Sequence, residues 1–207
     1  MTVLEVLVEE PSAKSALEIL LPRIVPDTVC EVREFSGKTA LMKALPIRFA
    51  GYAARMKWEP LKVAVLVDRD DDDCVVLKKQ LEDYAANARL TTPATGGDSF
   101  QVLNRIVIEE LEAWWLGDAE ALNRAYPKVP VSLAKQARYR DPDAVKGGTW
   151  EALETVLNKH GYHRSGLRKM QAASEIAQYM NVESNRSKSF QVFRDGVRRL
   201  VKENNRA

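Results

Sequence analysis

The run "LKVAVLVD" (61–68) is apolar at almost every position. A strand of that kind has both faces buried, which is the condition of a parallel sheet covered by helices on each side. The neighbouring segments supply the rest of such a sheet. "TVLEVLVEE" (2–10), "VCEVREF" (29–35) and "FQVLNRIVI" (100–108) are three further strand candidates. Helical patterns stand between them. "PSAKSALEILLPRI" opens on Pro11-Ser12 and carries Ala16, Leu17, Leu20 and Leu21 at helical spacing. "GKTALMKALPIRFAGYAARMKW" (37–58) reads as a helix interrupted near Pro46, where the amide donor is missing. "DDCVVLKKQLEDYAANAR" (72–89) is amphipathic, with Asp72 or Asp73 placed to cap it. This alternation predicts an α/β fold with a mainly parallel central sheet flanked by helices.

"EELEAWWLGDAEALNRAYP" (109–127) reads as helix with a break at Gly117-Asp118. From there to about Gly148 the chain is basic, loop-like and rich in proline, and two or three helices follow. The expected organisation is an α/β domain over 1–127 with a basic helical C-terminal extension, 128–207, packed on it. Charge divides the same way. Residues 1–127 hold 15 Lys/Arg and 21 Asp/Glu, a balance of −6, whereas 128–207 hold 16 and 8, a balance of +8. Such asymmetry suits a metal site beside a polyanion-binding surface, and equally two solvated faces of opposite sign. No apolar run approaches the roughly 20 residues that span a bilayer, so no membrane partner is expected. The N-terminus has no basic n-region, and Cys30 and Cys74 make no CxxC pair, which points to a reduced, cytoplasmic setting.

In open parallel sheets, ligands gather beyond the C-terminal ends of the strands. Two strands here end in carboxylates, at Glu9-Glu10 and at Asp68-Arg69-Asp70. Alternation along the strand end would point Asp68 and Asp70 the same way. Glu9 joins them if the first and third strands are neighbours. Three converging carboxylates are costly unless a divalent cation neutralises them, and an oxygen-only set suits Mg2+ first and Mn2+ second. Asp72 and Asp73 suit the start of a helix, where the macrodipole favours acid, with Asp72 also within reach of an outer-sphere contact and Asp71 between the two roles. Glu112, after the fourth strand, is a further ligand, a brace for a basic residue, or a solvent-facing helical acid sharing a face with Glu109. Trp114 and Trp115 read as packing residues.

Basic candidates for contact with nucleic-acid phosphates are Lys38, Arg164, Arg168, Lys169, Arg186 and Lys188, which as solvated helix faces would look much the same. "SGKT" around Lys38 is no P-loop, since the first glycine of that motif would fall at Val32. His160 and His163 form HxxH, but no Cys or third His completes a zinc set.

A strand ending in Glu9, followed about sixty residues later by one ending in Asp68-x-Asp70, resembles the Toprim domain of primases, topoisomerases and OLD-type nucleases. More closely, the chain resembles the Toprim-like DUF4276 family through "VLVEEPSAKSAL", "FSGKTALMKAL", "VLVDRDDDD", "IVIEELEAWWLGDAEAL", "GTWEALE" and "NRSKSFQVFRDGV" in that order. The resemblance implies a Toprim-like sheet and a metal-dependent nuclease site with Glu9, Asp68 and Asp70 in the acidic positions. Glu112 is the matching acid after the fourth strand. It also implies antiphage defence with an ATPase partner protein. One departure is Glu10, which stands where the first motif usually has Gly. The alternatives are a non-catalytic module that binds nucleic acid or protein, and a DxD phosphatase of the haloacid dehalogenase type, which would want its DxD on the first strand.

Overall fold

The computed structural model describes residues 2–70, 72–107 and 110–202. Four strands, β1 (Val3–Val8), β2 (Val29–Glu34), β3 (Leu61–Asp68) and β4 (Val102–Val107), form one all-parallel sheet in the order β2-β1-β3-β4. The helices among them are α1 (Pro11–Ile24), α2 (Lys38–Arg55), α3 (Cys74–Asn87) and the single turn α4 (Pro93–Gly96). After β4 come α5 (Glu112–Leu116), α6 (Ala119–Ala125), three short 3-10 turns between Val131 and Ala144, then α7 (Thr149–Lys159), α8 (Lys169–Ala177) and α9 (Lys188–Val201). The α/β architecture is thus the expected one, with a helical C-terminal part. Among the described residues no helix is long and apolar enough to cross a membrane.

The sheet has a core on each face. Leu4, Val6 and Val8 of β1, with Ala64 and Leu66 of β3, face a core completed by α1, α5 to α9 and both tryptophans. Leu7, Val63, Val65 and Val67 face the other, against Leu41, Leu45 and Phe49 of α2 and Leu77, Leu81 and Ala85 of α3. This two-sided burial is why β3 is apolar throughout. Trp114 meets Phe190 and Phe193 with ring centroids 5.1 and 5.2 Å away, which fastens α9 to α5 in the first core.

One expectation is corrected. α2 runs unbroken through Pro46. Leu41, Leu45, Phe49 and Tyr52 form its buried stripe while Pro46 lies on the exposed side. Packing of the opposite, buried stripe keeps the helix whole although Pro46 removes one donor.

Candidate metal and nucleic-acid site

The order β2-β1-β3-β4 sends the chain from β1 to one side and then back to the other, so the crevice between the C-terminal ends of β1 and β3 is the topological switch point. Glu9 leaves β1 there and Asp68 closes β3 beside it. The Asp68 amide donates to Glu9 Oε1 at 2.5 Å. β4 lies next to β3, with Val107 in register with Asp68, and the chain beyond it begins α5 at Glu112. Three carboxylates are thereby delivered from three consecutive positions in the sheet.

Their surroundings are short of positive charge. Burial pushes Glu9 up to about 7, against the Asp68 amide and Lys38, which lower it. Burial also raises Asp68 well above the ordinary carboxylate range, and the charges of Glu9, Glu112, Glu10 and Asp70 add to the effect. Glu112 is 3% exposed and is pushed to about 7 by burial, only partly offset by Lys169. Its Oε2 is buried without a hydrogen-bond partner. An orphaned carboxylate oxygen in an oxygen-only set suits a hard divalent cation. Among the described residues, no three His, Cys, Asp or Glu side chains already stand at a mutual separation that holds an ion.

The aspartate run divides by backbone geometry. β3 ends at Asp68, so strand alternation does not extend to Asp70, whose φ of +48° is left-handed. Aspartate tolerates that conformation better than most residues. The Asp70 carboxylate pairs with Lys38 at 2.6 Å, and Asp72 accepts from the same Nζ at 2.8 Å. Lys38, the first residue of α2, also donates to the Arg69 carbonyl at 3.2 Å. The β3–α3 connection is therefore tied to α2 by one lysine, and the expected common direction of Asp68 and Asp70 is not what places Asp70. Asp73 is the cap of α3, accepting from the amides of Val75 and Val76 at 2.8 and 3.0 Å. Asp71 and Glu109 lie outside the described residues.

Of the basic candidates, Lys169 reaches the site. As the first residue of α8 it stands 3.8 Å from Glu112 and 5.5 Å from the centre of the Trp150 ring. Arg164 and Arg168 are exposed on the chain leading into α8. Arg186 instead donates to the main-chain carbonyls of Arg140 and Leu116 at 2.9 and 3.1 Å. Lys188 presents an exposed side chain at the start of α9.

Two quoted motifs acquire structural reasons that sequence reasoning missed. Glu110 Oε2 accepts from the Thr149 amide, the Thr149 hydroxyl and the Trp150 amide at 3.0, 3.0 and 2.9 Å, so it caps α7 from a distance. The signal was the glycine pair before "TWEALE", a helix start with no side chain of its own to accept those donors. In "NRSKSF", Asn185 donates to the Trp114 carbonyl at 2.8 Å, and Ser187 accepts from the Phe190 amide while donating to Asp143 at 2.7 Å. That segment anchors α9 to the tryptophan core.

No curated protein matches the chain, and no solved structure does. A family model described as Domain of unknown function (DUF4276) matches residues 8–198, nearly the whole chain, and the protein belongs to that family.

Proposed function

We propose that the protein is a Toprim-type, divalent-metal-dependent nuclease that hydrolyses phosphodiester bonds of DNA or RNA. The observation that carries this reading is the delivery of Glu9, Asp68 and Glu112 from neighbouring positions of the sheet around the switch point, desolvated and with the Glu112 Oε2 unpartnered. Glu9, Asp68 and Glu112 would hold Mg2+ or Mn2+, with Asp70 and Asp72 at the rim where Lys38 engages them. A bound ion would supply a water of lowered pKa and polarisation of the phosphoryl oxygen. The chain's own part is electrostatic and positional. Lys38 and Lys169 flank the carboxylates on opposite sides and draw the phosphate toward them, while Arg164, Arg168 and Lys188 guide the backbone. The family resemblance adds a place in defence against phage, with an ATPase partner controlling access.

A second reading, a module that binds nucleic acid without cutting it, is favoured by the absence of a ready-spaced ligand trio among the described residues. One experiment separates the two. The purified protein is incubated with single- and double-stranded DNA and RNA in Mg2+, in Mn2+ and in EDTA, beside Asp68→Asn and Glu112→Gln. The nuclease reading expects metal-dependent cleavage reduced at least about 100-fold in Asp68→Asn, an effect of the size seen when charge-stabilising groups are lost. Undiminished cleavage by Asp68→Asn would sink the assigned site. Salt-sensitive binding with no cleavage sides with the binding module.

A further inference from the structure

A second concave site lies along the chain leading into α8. A cavity of about 580 Å³ is lined by Tyr126, Tyr162, His163, Arg164, Arg168 and Glu175, among others. Its floor is an ordered polar chain. The Arg168 amide donates to His163 Nδ1 at 3.2 Å, which leaves the proton of the neutral ring on Nε2. Nε2–H then donates to Tyr126 Oη at 2.9 Å, and the Tyr126 hydroxyl donates to Glu175 Oε2 at 2.5 Å. The other Glu175 oxygen accepts from Gln171 at 2.8 Å. Both oxygens of the cavity's one carboxylate are thus occupied from within. Among the described residues neither Arg164 nor Arg168 has an ion-pair partner, although Arg168 Nη1 donates to Gln171 Oε1 at 3.5 Å, and both residues are exposed at the rim. His163 holds a left-handed φ of +49°, so the loop that carries the imidazole is shaped to this arrangement.

Tyr126 is 4% exposed and packs its ring on Tyr162 and His163, so these two half-buried rings form the aromatic wall; beside two arginines free of ion pairs, that composition takes a splayed base together with its phosphate. A cavity of this size falls within the range of small-ligand sites, roughly 300–1,000 Å³. A duplex keeps its base faces stacked inside and presents one to a concave pocket only by unpairing and flipping it out, which a single strand does not need. We propose that the Tyr126–Tyr162–His163 cavity, with Arg164 and Arg168, seats one nucleotide of a single-stranded nucleic acid. The inference deepens the nuclease reading and rests on its nucleic-acid half alone. Position supports it. Arg168 borders the cavity while Lys169, the next residue, stands 3.8 Å from Glu112, so one peptide bond joins the two sites across the start of α8.

The test is done on the full chain in EDTA, so that it does not depend on cleavage. Fluorescence anisotropy compares a labelled single-stranded 12-mer with the corresponding duplex, for wild type and Arg164→Ala/Arg168→Ala. The expected result is single-strand binding at least about 10-fold tighter than duplex binding, weakened about 10-fold or more in the variant. The variant's salt slope should be smaller by about 1.4, two contacts' worth on a single strand. A 12-mer carrying 5-iodouracil is photo-crosslinked to the wild type, and a crosslink within 161–168 is expected. Equal binding of duplex and single strand, a variant that binds like wild type, crosslinks confined elsewhere, or displacement of the 12-mer by a nucleoside monophosphate at equal concentration would each overturn the proposal. Cleavage that fails while single-strand binding and the crosslink persist sinks the nuclease reading and leaves this one standing.

Discussion

Two buried glutamates, one in a strand and one at a helix start, show opposite electrostatics. Glu5, in the middle of β1, is fully buried yet accepts from Arg33 Nε at 2.7 Å, Tyr52 Oη at 2.6 Å and Arg55 Nη1 at 2.5 Å. Burial alone would raise it, but these donors outweigh burial and hold the carboxyl below its ordinary value of 4.5. A depressed folded-state value contributes stability above pH 4.5 that is lost as the pH falls below it. Glu5→Gln should therefore cost about 1–3 kcal/mol at pH 7, the penalty of an impaired buried hydrogen-bond set. It should also flatten the fall in melting temperature below pH 4.5, which a pH series of thermal melts would read. Glu112 is the reverse case. Its value, raised to about 7, means that stability is full below 4.5 and is lost as the pH rises through 7. In EDTA at pH 8, Glu112→Gln should be more stable than wild type, by at most on the order of 3 kcal/mol, and melt at a higher temperature. Saturating Mg2+ should raise the wild-type melting temperature and not that of the variant. A variant less stable than wild type in EDTA would contradict the charge deficit assigned to this site.

Elements here are held at their ends and at single close approaches. Asp73→Ala removes the double cap of α3 and should cost about 1 kcal/mol in urea denaturation. α9 crosses β4 at Gly196, where a Cβ would come within 3.0 Å of both Leu103 Cδ2 and Arg105 Nη2. Gly196→Ala gains up to about 1 kcal/mol of helix propensity. Overpacking against a buried strand costs about 1–3 kcal/mol, so the net effect should be destabilising. A melting temperature at or above wild type would show that α9 can lift without loss. Helix periodicity located α1, α2 and α3 from sequence because one stripe of each is apolar. It misjudged Pro46, since a proline's effect depends on which side of the helix meets water. It also left Asp72 and Asp73 open as caps, a choice made by one backbone turn.

At the scale of the whole molecule, the C-terminal helices complete a core begun by the sheet. Leu4, Val6 and Val8 share one cluster with Leu153, Ile176, Phe190 and Phe193. Trp114 and Trp115, 0% and 1% exposed, would lose that cover in a fragment ending at residue 127. Such a fragment should be insoluble or bind a hydrophobic dye strongly; a cooperative thermal transition in it would refute the shared core. By itself the sequence determined the parallel α/β class, because apolar strands alternating with amphipathic helices bury both strand faces in a helix-covered parallel sheet. It also placed Glu9 and Asp68 at strand ends, since those ends fall where apolar runs stop. Only the tertiary structure decided the rest. Strand order set Glu9 against Asp68, and the path after β4 brought in Glu112 as the buried acid. Lys38 drew Asp70 and Asp72 aside, and the start of α8 set Lys169 toward the carboxylates and Arg168 toward the cavity. Those outcomes depend on distances between residues far apart in the chain, which local pattern does not carry.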